Sequence, residues 1–151
     1  MLTRSRVNGS KLTLGFSLVE LLLVIAILGI ITGVAIPSFL GQKKHARMVG
    51  DARANARIIQ MALDARRAEI GIYGEAGTSY SYETSNNGTT YTRPDKDIIP
   101  SFSPQGNSRM SYHIEIGTGG LLYDLSVFEG TISGGKIVLT GNQTGDFKEV
   151  K

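Results

Sequence analysis

From Leu21 to Ile36 sixteen residues pass without a charge, and the wider stretch from Phe16 to Leu40 contains a single ionisable side chain, Glu20. Those twenty-five residues would span roughly 37 Å as a helix at about 1.5 Å per residue. A bilayer's hydrocarbon core is about 30 Å thick. Helix is the natural state for such a run, because every backbone polar group must find its partner inside the segment once water is gone. The remaining length of this 151-residue chain leaves room for one further domain.

The residues before the run hold Arg4, Arg6 and Lys11 and no acid. A short basic leader ahead of an apolar segment is also how a secretory signal begins. An ordinary signal peptidase would then find a small-x-small site at Gly33-Val34-Ala35. The length of the apolar stretch and the carboxylate at its start both count against that reading. Charge bias leaves the orientation open, since Lys43, Lys44, Arg47, Arg53 and Arg57 follow the segment and outnumber the three leader bases.

The stretch Gly15-Phe16-Ser17-Leu18-Val19-Glu20, continued by LLLVIAILGIITGVAIPSFL, resembles the N-terminus of type IV prepilins and type II secretion pseudopilins. The resemblance implies cleavage after Gly15 on the cytoplasmic side by a prepilin peptidase, removing residues 1–15. It implies N-methylation of the new terminus, Phe16, by the same enzyme. The family's glutamate falls on Glu20, and its helix-weakening glycine and proline fall on Gly29 and Pro37. The match covers about 25 contiguous residues and the general plan of the rest.

Physical chemistry gives the carboxylate a reason to be there. A charge in the membrane costs on the order of 2.5–3.5 kcal/mol on insertion scales, and such groups usually find a partner. Cleavage after Gly15 would create an α-amine with an unperturbed pKa near 8, still charged after methylation. Pairing of Glu20 with the amine of an adjacent subunit would fix the axial register at which subunits dock, because sliding either helix strands both charges. A carboxylate that snorkels to the headgroups is the plainer alternative. Gly29, Thr32, Gly33 and Pro37 make the stretch 29–37 the weakest part of the helix, interior glycine costing roughly 1 kcal/mol and proline roughly 3 relative to alanine. Gly29 and Gly33 also form a small-xxx-small pair that lets helices approach closely. In similar pili this region loosens as subunits leave the bilayer.

Past Pro37 the helical signal becomes amphipathic. Val49, Ala52, Ala56, Ile59 and Leu63 repeat at 3-4-3-4 spacing, a narrow stripe suited to packing on a sheet. Gly71 is a plausible stop. Residues 41–71 are thus expected to continue the helix of residues 16–40, bent near Pro37. Residues 72–109 lack helical periodicity and are rich in Ser, Thr, Asn, Gly and Tyr. Within them Ser79 to Thr92 alternates tyrosine with small polar residues around Asn87-Gly88, which suggests a surface hairpin, with disorder as the competing reading. Pro94, Pro100 and Pro104 mark a connector.

Residues 110–151 read as sheet and tail. Met110, Tyr112, Ile114 and Ile116 alternate, placing His113 on the opposite, wetter face. Leu121, Tyr123, Leu125 and Val127 share a face of a second strand, and residues 136–140 supply a third. The fold class expected is α+β and pilin-like: a long bent N-terminal helix, its first half transmembrane, packed on an antiparallel sheet of about three strands. The chain departs from many pilins in having no cysteine, so its tail GNQTGDFKEVK is expected either to be held by packing or hydrogen bonds or to remain loose.

Charge and motifs exclude several other functions. The net charge of +3 lies wholly in residues 1–15, and from Phe16 onward 13 basic and 13 acidic side chains cancel, so no nucleic-acid partner is expected. Residues 43–67 carry seven bases against Asp51 and Asp64, whereas 68–151 carry six bases against ten acids. That asymmetry fits either ordinary solvated surfaces or faces that meet on neighbouring copies. His45 and His113 stand apart, and no catalytic, phosphate-binding or dinucleotide signature occurs. The chain is therefore expected to be no enzyme and to need no metal or cofactor. The N-glycosylation patterns at Asn87 and Asn142 are too common to weigh.

The resemblance implies a homopolymer of pilin subunits stored in the inner membrane, with its C-terminal domain extracytoplasmic, and later a cell-surface pilus. Its partners would be the prepilin peptidase/methyltransferase, a platform membrane protein and, indirectly, an assembly ATPase. The alternative is a pseudopilin in a periplasmic pseudopilus of a type II secretion system. The scattered C-terminal acids Asp124, Glu129, Asp146 and Glu149 form no calcium-loop array of the kind many major pseudopilins carry, which favours the pilin. A third class, an exported binding module or enzyme behind an ordinary signal, would make the Gly15 motif an accident.

Overall fold

A helix, α1, runs from Leu18 to Ile70 and contains Pro37. The computed structural model describes residues 15–84, 91–106 and 109–150. It divides into two compact units, residues 1–41 and 42–151. The first contains the opening portion of α1. The second holds the rest of that helix and all the strands among the described residues. The leader expected over residues 1–15 lies, apart from Gly15, outside the described residues, as does the Asn87-Gly88 turn.

The second unit is built by the stripe that the helix presents. Ala52, Ala56, Ile59 and Leu63 are fully buried, and Met48 and Val49 pack partly against the same cluster. The helix ends where Gly71 takes a positive φ of 85°, a conformation that costs glycine little. The Gly71 N–H still reaches the Arg67 carbonyl at 2.8 Å, closing the last turn.

Six strands follow among the described residues: β1 Ser79–Thr84, β2 Tyr91–Thr92, β3 Met110–Ile116, β4 Tyr123–Glu129, β5 Lys136–Asn142 and β6 Lys148–Glu149. They form an antiparallel sheet in the order β2-β1-β3-β4-β5-β6. The inner face is set by alternation: Tyr80 and Tyr82 on β1, Met110, Tyr112, Ile114 and Ile116 on β3, and Tyr123, Leu125 and Val127 on β4 are all buried. A register shift at Val127/Phe128 accompanies burial of two consecutive β5 residues, Val138 and Leu139, as a bulge permits.

The sheet has twice the expected number of strands. β2 and β6 are two-residue edges, too short to leave a periodic signal. β1 is more instructive: its buried positions are Tyr80, Tyr82 and Thr84, with no aliphatic residue among them. It pairs with β3 inside the sheet rather than standing as a surface flap. It also pairs with β2 through Glu83 opposite Thr92 and Thr84 opposite Tyr91. A second difference concerns Leu121, expected on the inner face of a strand but exposed just after the short 3-10 turn Thr118–Gly120. The proline-marked connector contributes to the core as well, through Ile98, Ile99 and Phe102.

Candidate processing and assembly segment

Gly15, Phe16 and Ser17 precede the helix in an open position, with Phe16 77% exposed. The Ser17 carbonyl accepts the Leu21 N–H at 3.1 Å, the first bond of the helical ladder. Ser17 is therefore the N-cap, and Glu20, three residues later, completes the Ser-x-x-Glu spacing of a capping box. Glu20 lies in the first turn of α1, where unpaired N–H groups give the helix end a partial positive charge that favours a carboxylate. The sequence signal for Ser17 is the Ser-x-x-Glu spacing itself, at the head of an apolar run.

The side chains that follow have no support from their own chain. Leu21, Leu22, Leu23, Ile25, Leu28, Ile30, Ile31, Val34, Ile36, Phe39 and Leu40 are all exposed. Among the described residues α1 is the one helix long and apolar enough to cross a membrane. Patches of this size on a protein surface mark contact with another protein or with lipid.

Gly29 and Gly33 lie within this segment, and a Cβ added at either would meet nothing within 4 Å. Packing within the chain does not require them to be glycine. The Thr32 hydroxyl donates to the Leu28 carbonyl and, at 3.3 Å, to that of Gly29. Such back-bonding satisfies a hydroxyl in an apolar setting and slightly loosens the turn it touches. Pro37 offers no N–H to the Gly33 carbonyl four residues earlier. The residues singled out from the sequence thus fall in two places: Gly15, Phe16 and Glu20 at the helix start, and Gly29, Gly33 and Pro37 in its apolar middle.

Elsewhere the polar side chains hold structure together. Asn55, buried on α1, donates to the Gln105 carbonyl at 2.9 Å and to the Tyr112 hydroxyl at 2.8 Å, and accepts from the Gln105 N–H at 2.8 Å. His113 Nδ1 lies 2.9 Å from the Ser81 hydroxyl. His45 Nε2 meets Glu149 at 2.9 Å. Burial raises Asp97, but hydrogen bonds from Tyr82, Arg93 and the Ile99 N–H outweigh it and hold the carboxyl below its ordinary range. Burial also raises the Tyr82 and Tyr112 hydroxyls well above the usual tyrosine range, so both stay protonated, Tyr82 donating to Asp97 and Tyr112 accepting from Asn55. Among the described residues no group of three or more His, Cys, Asp or Glu side chains is placed to hold a metal ion.

Residues 11–36 match the model of the prokaryotic N-terminal methylation motif. No curated protein and no solved structure matches the chain. The matched segment is the signature of type IV pilins and pseudopilins, whose role is structural rather than enzymatic. With the apolar helix behind it, it supports a pilin-like, membrane-anchored protein.

Proposed function

We propose that this chain is a structural subunit of a type IV pilus-like filament. It is stored in the inner membrane through residues 16–40, with the leader cytoplasmic and the sheet domain outside. Prepilin peptidase cleaves after Gly15 and methylates Phe16, and the subunit then polymerises through its apolar helix. The observation that carries this reading is the methylation motif at residues 11–36, at the head of an apolar run, residues 16–40, whose large apolar side chains are exposed.

The chemistry of assembly follows from the segment's layout. In a filament the neighbouring helices would supply the apolar surface that lipid supplies before extraction. Gly29 and Gly33 would let backbones approach. The missing bond at Pro37 and the back-bonded Thr32 make this the place where the helix yields at least cost. Glu20 would pair with the Phe16 amine of an incoming copy, two charges that are stable in an apolar setting only together.

The N-terminal sequence and intact mass of the protein taken from its native cell test this reading. A chain beginning at Phe16 with one added methyl group is expected. A chain beginning at Ile36 would mean ordinary signal cleavage and would end the filament reading.

A further inference from the structure

The seven bases of α1 between Lys43 and Arg67 divide into two groups once their surroundings are compared. The later ones are engaged by their own chain. Arg57 lies over the Phe147 ring at 4.8 Å and donates to Gln60. Arg66 donates to the Tyr73 carbonyl, and Arg67 donates to the Tyr73 hydroxyl while covering its ring. Lys43, Lys44 and Arg47 are exposed and contact no acid or acceptor among the described residues; Arg53, further along, is likewise exposed. No acid occurs between Glu20 and Asp51 in the sequence, and Glu149, which the fold brings to this stretch, meets His45 at 2.9 Å, so the stretch keeps an excess of positive charge.

Their position gives that charge a partner. Lys43, Lys44 and Arg47 come three, four and seven residues after Leu40, the last residue of the apolar run. If that run spans a bilayer, they fall at the headgroup level, where basic side chains bury their stems and reach the phosphates. The proposed orientation adds a second argument. With the leader cytoplasmic, five bases follow the span against three before it, the reverse of the usual bias. Cleavage after Gly15 then removes all three leader bases. The mature chain would keep basic side chains on the outer side alone, the Phe16 amine being the one positive group at the inner end.

We propose that Lys43, Lys44 and Arg47 form a binding site for anionic phospholipid headgroups of the outer leaflet, fixing the depth at which the stored subunit sits. This rests on the membrane placement in the filament reading. The ligand chemistry is a lipid phosphate carrying net negative charge, as in phosphatidylglycerol. A carboxylate surface on a second copy is the competing occupant. The headgroups are favoured because helix position alone brings them to these three residues. Held at a fixed depth, the helix would present Glu20 at a constant level in the opposite half of the bilayer, ready for an incoming terminus.

The test uses the mature chain, residues 16–151, reconstituted in phosphatidylcholine vesicles with roughly 30% phosphatidylglycerol, enough to give an anionic surface. The relative association of spin-labelled phosphatidylglycerol and spin-labelled phosphatidylcholine with the protein is measured. Selectivity for the anionic lipid of about fivefold is expected, the worth of roughly one base at an anionic surface. It should fall to parity in the Lys43→Gln/Lys44→Gln/Arg47→Gln variant and also at 1 M salt, where the screening length is about 3 Å. The variant Lys136→Gln/Lys148→Gln, which removes charge from exposed strand positions, should keep the selectivity. Inorganic phosphate at matched ionic strength should leave it unchanged.

Equal association of the two lipids with the unsubstituted chain would overturn the proposal, as would selectivity that survives in the triple variant. Suppression by inorganic phosphate would overturn it in favour of a free-anion site. Loss of filaments in the triple variant without lipid selectivity in the parent would assign these bases to a neighbouring copy. None of these results depends on the native N-terminus, so a chain correctly processed at Phe16 but indifferent to lipid charge would remove the headgroup site alone.

Discussion

Asn55 and Tyr112, fifty-seven residues apart in sequence, are joined by a buried hydrogen bond of 2.8 Å between the helix and β3. The same amide holds the Gln105 N–H and carbonyl, so one side chain ties α1 to a strand and to the connector before it. Replacing Asn55 by Ala should strand these partners and cost about 1–3 kcal/mol, the penalty for a buried polar group left unpaired. A urea titration of the full chain in detergent, followed by tyrosine fluorescence, should show the midpoint falling. An unchanged midpoint would mean that the amide contributes nothing to holding the connector.

The tail is attached without a covalent link. Phe147 packs beneath Arg57, the Val150 N–H donates to the Val138 carbonyl at 3.0 Å, and Glu149 meets His45. A Cβ at Gly141 would overlap the Phe147 ring. Gly141→Ala is therefore expected to displace that ring, at about 1–3 kcal/mol, the usual cost of overpacking. Hydrogen exchange at the Val150 amide should accelerate, while exchange within β3 should stay slow.

Acid should weaken the domain through Asp97. Its folded pKa is depressed, so the stability it contributes is fully present above the unfolded carboxylate value of about 3.9 and is lost as the pH falls through the folded value. Asp97→Asn should therefore narrow the stability difference between pH 6 and pH 3. Thermal melts of both proteins across that range measure it. Equal acid sensitivity in the two would assign the effect to other carboxylates.

Assembly should separate from insertion at Glu20. Glu20→Ala is expected to leave the chain in the membrane fraction and processed at Phe16, while abolishing sheared filaments. Normal filaments from that variant would leave the capping position after Ser17 as the residue's whole role. Gly15→Val should act earlier and leave the leader attached, visible as an unprocessed mass.

The elements most legible from the sequence were those with a strong period. Ala52, Ala56, Ile59 and Leu63 stood out because four apolar residues at helical spacing sit among charges, and β3 because Met110, Tyr112, Ile114 and Ile116 alternate. Asn55 escaped notice because a polar residue within such a stripe looks like a solvated one until its partners are known. β1 escaped because tyrosine and threonine fill its inner positions, and their hydroxyls give the segment the composition of a loop. Ile98, Ile99 and Phe102 were hidden among prolines, aspartates and serines that mark a connector, and this connector carries apolar anchors. The resemblance of the segment around Gly15, Phe16 and Glu20 to prepilins was legible in the sequence, and residues 11–36 match the methylation motif. The loose bases at Lys43, Lys44 and Arg47 could be separated from the engaged ones only after Tyr73 and Phe147 had been placed in space.

None of the core's fully buried side chains comes from α1 before Ala52. The two portions of one continuous helix are therefore subject to different filters as the sequence drifts over generations. An exchange such as Ile25→Leu has only an outside environment to satisfy, and Ile59→Leu must fit neighbours already in place. If the apolar portion serves as proposed, it can track a change of lipid or of filament partner without disturbing the domain's fold, and the sheet domain can acquire new surfaces without retuning that portion.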